Sequence, residues 1–519
     1  MKKVFTYILT LVLFSCIAKA NNAQVSNTIL TAQDAAAGKI SIQFNLSWEN
    51  SWRTSSAPNN WDAVWLFAKY KKTDGTWHHA TLSSDNTSTG SMGANATLSV
   101  RSDGAGAYYY RSANGVGNIN STNVNLRWHY ETNGVDCNLG EDITAVKVFA
   151  IEMVYVAQGQ FRVGTDIPHD GTFNAHGTNS AFLINSENAI NVGNSPGNLN
   201  YTTDSDDGDH NGPIPATFPK GFNAFYCMKY ELSQEQYVEF LNTLTRTQQN
   251  TRTGTPLAAG VTSVSNRYVM SNSIGVNFRN GIRCNATIHA TNPINFYCDL
   301  NNNNIPNEAN DGQNLSCNYL SWADGIAYAD WAGLRPMTEL EFEKACRGPI
   351  YPVNTELAWG DTTVTKLTGI SNGGTNNEQA TPANANCTVD RNTSVGNVRV
   401  GLFAKSTTNR AQSGASYYGI FDLSGSLRER AVNVGTTQGR AFTGNLGNGT
   451  IDVNGNANVA NWPGTNAVGA GFRGGPYSAT YYWHCCLEVS SRWNACTADA
   501  NRSSSYNGAV YGFRGVGGL

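Results

Sequence analysis

The chain has 519 residues, 52 of them glycine and 15 proline, and only 14% of its side chains are charged. A hydrophobic content of 40% with 11% aromatics excludes a disordered or collagen-like chain, and the length provides for two to four domains of ~100–200 residues. With 35 Lys and Arg against 38 Asp and Glu the net charge is −3, which removes the electrostatic basis for a nucleic-acid partner.

The chain opens with Lys2 and Lys3, an apolar run from Val4 through Ile17, and Ala18-Lys19-Ala20. A basic start, an apolar middle and a small-x-small end form the pattern of a bacterial-looking secretory signal peptide over residues 1–20. Leu13-Phe14-Ser15-Cys16 also approximates a lipobox, which would anchor the chain by lipid through Cys16. No other stretch approaches the ~18 consecutive apolar residues of a membrane span. The expected location is extracellular or at the cell surface, without a transmembrane segment. Loss of Cys16 would leave ten of the 11 cysteines, an even number compatible with disulfides in an oxidising compartment.

Residues 24–147 read as an all-β sandwich domain. Ile40, Ile42, Phe44, Leu46 and Trp48 alternate with Ser41, Gln43, Asn45 and Ser47, the period-two pattern of a half-buried strand. Ala63–Tyr70, Trp77–Leu82, Thr97–Arg101, Ala107–Arg111, Asn123–Trp128 and Ala145–Ala150 are further predicted strands, separated by turn clusters such as Asp74-Gly75 and Asn114-Gly115. His78, His79 and His129 are expected on strand surfaces. Beyond Glu152 the texture changes to Gly/Asn-rich loops with few helices. Ser233 with Gln236 forms a capping box that opens a helix to Leu244, bearing Tyr237, Phe240 and Leu241 on one face. Trp322–Trp331 and Glu339–Cys346 form a predicted helical pair around Gly333-Leu334-Arg335-Pro336.

Several segments, taken in order, resemble the formylglycine-generating enzyme (sulfatase-modifying factor) family. They are Glu152-Met153-Val154-Tyr155-Val156 with Gly159-Gln160-Phe161, then Phe225 through Ser233 with Gln236-Tyr237. Ser321-Trp322 through Trp331 follows, then Leu334-Arg335-Pro336-Met337-Thr338-Glu339 and Glu341-Phe342-Glu343-Lys344-Ala345-Cys346-Arg347-Gly348. Tyr418 through Gly425, Arg473-Gly474-Gly475 and Gly512-Phe513-Arg514 complete the set. The resemblance covers about residues 149–516. It implies an α+β, C-type-lectin-like, loop-rich domain over 149–519, preceded by the β-sandwich.

The resemblance also implies a chemistry: one copper ion between two thiolates, used with O2 to oxidise a protein Cys to formylglycine. Soft thiolates suit Cu(I). The family places those thiolates four and nine positions after the second glycine of R-G-G, and an arginine seventeen after it. Counted from Gly475, these positions hold Ala479, His484 and Arg492, so the arginine is in register and the thiolate pair is not. Cys485 and Cys486 stand one and two positions beyond His484 and are the weak catalytic candidates. Copper is therefore not expected.

A calcium loop is the other cofactor implied, and Ser426 stands where the family has Asn, with Glu429 in register. Asp299, Asn301 and Asn303 with Glu308 and Asp311 offer alternating oxygens like a calcium loop, without its turn glycine or terminal bidentate carboxylate. Asp204 through Asp209 is a similar acidic loop. Tyr481, Tyr482 and Trp483, with His484 and Arg492, fall where the family's peptide groove lies, as ligand-groove candidates. The leading expectation is an exported binding or scaffold protein with a protein or glycan partner at the cell surface. The alternatives are a copper- and O2-dependent oxidase and a self-assembling surface or filament protein.

Overall fold

Strand β3 (Asp62–Lys72) is buried along nearly its whole length and on both faces, and that double burial sets the architecture. Ala63, Trp65 and Phe67 point into one core, whereas Val64, Leu66, Ala68 and Tyr70 point into another. A continuous apolar run of this kind is what a strand covered on two sides requires. The structure, a computed structural model, describes residues 22–85, 89–136, 139–169, 171–201, 206–389, 396–479, 486–503 and 509–519. The signal-peptide reading of residues 1–20, with Cys16, falls outside them.

Three layers result. The outer one is a three-stranded antiparallel sheet in which β2 (Lys39–Arg53) lies between β1 (Gln24–Asp34) and β7 (Gly115–His129). The inward residues of β2 are the predicted Ile40, Ile42, Phe44, Leu46 and Trp48, all buried. They meet Val124, Leu126 and Trp128 and the outer face of β3. The middle layer is an eight-stranded sheet. Its order runs Arg335–Pro336, Gly515–Gly517, Phe225–Met228, β8 (Ile143–Val156), β3, β6 (Ala107–Arg111) and β5 (Ala96–Val100), and β4 (Trp77–His79) also pairs with β3. The third layer holds the helices and long loops.

The strands of 24–147 do not form a separate preceding sandwich. Strand β8 crosses the expected boundary, pairing with β3 from Ile143 to Val154 and with Phe225–Met228 from Met153 to Val156. The large sheet is therefore common to both stretches of sequence. Beyond β8 the chain is loop-rich α+β with few helices, as expected. The helices Gln234–Leu241, Trp322–Trp331 and Glu339–Arg347 each open on a capping box, at Ser233/Gln236, Ser321/Asp324 and Thr338/Glu341. A further helix, Arg246–Arg252, was not anticipated, because it has no apolar stripe. Instead, Arg246 folds back and donates to the carbonyls of Leu257, Ala258, Val261, His289 and Asn292, so its guanidinium gathers the long loop that follows.

Two polar devices lock the N-terminal strands to the rest. First, the C-terminal carbonyls of helix Trp322–Trp331, which have no partner within the helix, receive donors from the N-terminal strands. Lys69 Nζ donates to Trp331 O at 2.9 Å, Trp65 Nε1 to Ala332 O at 2.8 Å and Arg101 Nη1 to Gly333 O. His79, expected on a surface, is buried here, with Nε2 on Ala105 O at 2.7 Å and Nδ1 3.2 Å from Lys69 Nζ. Second, Lys229 Nζ lies 2.9 Å from Glu152 and 3.4 Å from Asp62, all three fully enclosed. Trp48, Ser51 and the Trp52 amide complete the shell of Asp62. Burial alone would lower the Lys229 ammonium, but Glu152, Tyr230 and Asp62 overcome it and hold the proton on.

Lys229→Ala would leave two carboxylates buried without their cation, a loss of about 3–5 kcal/mol in urea denaturation. Because both stretches share one sheet, the wild-type curve is expected to show one transition, and separate N-terminal and C-terminal transitions would contradict the shared core. Burial first, then Lys69, pushes the His79 imidazole well below its ordinary value. The unfolded chain therefore takes up that proton first, and stability falls as pH drops below ~6.5, by up to ~1.4 kcal/mol per pH unit. His79→Gln should flatten that part of the pH–stability curve relative to wild type.

Candidate functional site

Helix Glu339–Arg347 presents three acidic and two basic side chains, and every one of its residues is buried. Burial of that many charges demands partners, and they come from motifs far apart in sequence. Glu339 accepts from Arg492 Nε at 2.8 Å and Nη2 at 3.1 Å, from Arg473 Nη1 at 3.1 Å and from the Val434 amide at 2.8 Å. Glu343 accepts from Arg473 Nη2 at 2.7 Å, Arg347 Nη1 at 3.0 Å and the Gly164 amide at 2.7 Å. Arg347 also binds Glu356 and donates to Ser490 Oγ at 2.8 Å. Glu341 pairs with Arg335. Burial would raise the Glu339 carboxyl, but the arginines, Arg492 foremost, pull it below its usual value.

Arg473 ends the strand Ala470–Arg473, which pairs with Glu429–Val432, and the chain then turns through two glycines with positive φ. A Cβ on Gly474 would sit 2.6 Å from Leu423 O, and one on Gly475 2.6 Å from Cys486 O. Side chains are excluded at both positions by backbone on the far side, so R-G-G is a packing requirement.

Arg492, one of the groove candidates, is fully buried. Its guanidinium lies 4.3 Å from the centroid of Phe173 and 4.4 Å from that of Tyr201, in addition to its grip on Glu339. The other groove candidates, Tyr481, Tyr482, Trp483 and His484, lie outside the described residues, as does Cys485. Cys486 is half-exposed. Ala479, at the family's first thiolate position, is buried with Cys387, Leu423, Leu487 and Val489 and offers no ligand atom.

Ser426 and Glu429 do come together, in a buried cluster with Glu231, Asp422 and Arg514. Ser426 Oγ donates to Glu231 Oε2 at 2.9 Å and the Leu427 amide to its Oε1 at 2.9 Å. Arg514 Nε donates to Glu429 Oε1 at 2.8 Å, while Glu429 Oε2 has no partner among the described residues. Burial raises all three carboxyls, and Glu429 and Asp422 push Glu231 further up, so the cluster tends to keep a proton.

The expected calcium loop is organised differently. Asp299 is buried against Arg283 and accepts the amides of Asn303 and Asn304, each at 3.1 Å. The side-chain amides of Asn301 and Asn303 both donate to Glu308. The oxygens therefore close the loop on itself and do not converge on a point. Asp311 accepts the Glu308 amide at 2.6 Å. In the acidic loop the described part is anchored as well, with Asp209 paired to Arg440 at 2.8 Å and the Asp206 carbonyl accepting the Cys496 amide. Among the described residues, no group of three or more His, Cys, Asp or Glu is arranged to hold a metal ion, and no helix is long and apolar enough to cross a membrane.

Motif residues and frame together define a sulfatase-modifying-factor type of domain. The model of the Sulfatase-modifying factor enzyme 1-like domain matches residues 142–517, and the chain belongs to that family. No curated protein matches the chain. The match begins at Asp142, one residue before β8, so β8 belongs to the family domain although it pairs with β3 from Ile143 to Val154. What sequence reasoning missed is Glu339 and Glu343 as partners of the R-G-G arginine, with Arg347 as a further partner of Glu343. The signal was present as charged residues at helical spacing inside an otherwise apolar stretch.

Seven of the eight described cysteines are buried, and those seven form no disulfide. Burial pushes the Cys227 and Cys496 thiols up to about 12 and Cys284 to about 11. Raised values leave little thiolate near pH 8, close to the ordinary thiol pKa of ~8.5. Iodoacetamide on the native protein, read by peptide mass spectrometry, should label Cys486 and spare those seven until denaturant is added.

Proposed function

We propose that this chain is a non-catalytic member of its family, exported to the cell surface, where it serves as a binding or scaffold protein for a protein or glycan. The observation that carries the reading is Ala479. It stands in register at the first copper-thiolate position of the family, within an apolar cluster, while the arginine that fixes the register, Arg492, sits on Glu339. Cu(I) held by two sulfurs has no substitute donor in a methyl group. Export is supported by Lys2, Lys3, the apolar run to Ile17 and Ala18-Lys19-Ala20. The reading keeps the domain's frame and dispenses with its oxidase chemistry, a separation of fold from function that many folds display.

The rival, a copper- and O2-dependent oxidase, would have to draw its sulfurs from Cys485 or Cys486 and a distant thiol. Anaerobic Cu(I) titration of the purified protein, alongside Cys485→Ser and Cys486→Ser variants, separates the two. The expected result is no stoichiometric binding, or weak binding that ignores both substitutions. Tight binding abolished by either substitution would overturn the non-catalytic reading, and oxidation of a cysteine-containing sulfatase peptide would then be the activity to measure.

A further inference from the structure

The loop Asn461–Val468 and the short helix Thr437–Arg440 with Ala441 enclose a surface cleft of about 410 Å³ that none of the motifs uses. Its lining holds one tryptophan, Trp462, the small apolar surfaces of Ala441, Pro463 and Val468, and the amides Gln438, Asn461 and Asn466. No ionisable side chain lines it, so it offers nothing specific to a phosphate, a carboxylate or an ammonium.

The cleft is held in place from below. Trp322 Nε1, on the buried helix Trp322–Trp331, donates to Pro463 O at 3.0 Å, and Trp462 Nε1 donates to Asn445 O at 3.0 Å. The ring of Trp462 is therefore fixed in orientation while remaining half-exposed. Asn461 is held at φ 65°, a left-handed conformation, and Asn466 Oδ1 accepts the Val468 amide. The side chains of Gln438 and Asn461 are exposed and make no hydrogen bond with any described residue. Two unengaged primary amides, each both donor and acceptor, beside an oriented indole and no charge, suit a neutral polyhydroxylated ring. Its C–H face can lie on the aromatic surface while its hydroxyls both give and take hydrogen bonds.

We propose that this cleft binds a neutral sugar residue of a glycan, with Trp462 as the stacking surface and Gln438 and Asn461 as the hydroxyl-reading groups. The proposal rests on the binding-module reading above and gives it a location and a ligand class. A proline-containing peptide could also stack on an indole, but the free groups here are side-chain amides and the cleft has no unpaired strand edge along which a peptide main chain would run.

The test is calorimetric titration of the full-length protein with neutral oligosaccharides (mannotriose, cellotriose, galactotriose), with trigalacturonate and a proline-rich peptide as controls. One or more of the neutral sugars is expected to bind with a Kd on the order of 1 mM, and trigalacturonate and the peptide are not. Trp462→Ala should abolish binding and Trp462→Phe restore part of it. Gln438→Ala, an exposed substitution that leaves the core untouched, should weaken binding roughly tenfold. No binding by any neutral sugar, preference for the peptide, or sugar binding indifferent to both Trp462→Ala and Gln438→Ala would each overturn the site. The last of these would leave the binding-module reading standing, whereas copper binding would overturn that reading without touching this cleft.

Discussion

Glu339 is the residue on which the interior of the family domain turns. Its carboxylate, without solvent exposure, holds Arg473 on one side and Arg492 on the other. These two arginines bracket residues 474–491, the segment in which the family keeps its thiolates. A buried carboxylate shared by two guanidiniums is costly unless every lone pair is used, and here the Val434 amide takes the remaining one. Removal of any member leaves charge stranded in a low-dielectric interior. Such a network tolerates little variation in the residues that form it.

The same logic extends outward through the sheet. Lys229, next to the strand Phe225–Met228, is neutralised by Glu152 of β8 and Asp62 of β3, and Asp62 is in turn dressed by donors from β2. One ammonium thus spans the family motif, the central strand and the N-terminal sheet. Together with the capping of helix Trp322–Trp331 by Lys69, Trp65 and Arg101, it makes the strands β3–β6 and the sheet β1–β2–β7 packed on them a structural part of the domain. Both devices satisfy groups on the family side with donors and acceptors from the N-terminal side, so neither half has its polar interior complete alone.

Much of this was legible in the sequence, and the failures have physical causes. Period-two alternation located β2 because one face of that strand is core and the other is solvent. The capping box Ser233/Gln236 marked a helix start because it depends only on local hydrogen bonds. The run Ala63–Tyr70 read correctly as a strand, but its burial on two faces was the clue that a second layer covered it, and that clue was not used. Hence the N-terminal strands looked like a separate sandwich. His79 looked like a surface histidine because nothing nearby in sequence could partner it. Its partners, Lys69 and the Ala105 carbonyl, reach it through strand pairing and a loop closure. Arg492 was found by counting from Gly475, but its burial depends on Glu339, 153 residues away. The Asn-rich loop after Asp299 had the composition of a cation site. Arg283, supplied by tertiary structure, already occupies the carboxylate that would have anchored one.

The two kinds of motif residue in this chain therefore obey different constraints. Arg473, Gly474 and Gly475 are required by packing: the arginine by two buried carboxylates, and the glycines by carbonyl oxygens lying 2.6 Å from where a Cβ would be. The position four residues later is bounded by apolar neighbours, Leu423, Leu487 and Val489 among them, that accept a methyl group as readily as a thiol of similar size. The frame therefore does not depend on which of the two stands there. The Cα positions on either side remain pinned by Glu339. A domain held in this way keeps a rigid, loop-covered surface, and exposed side chains on it such as Gln438 are neither needed nor constrained by the internal charge network.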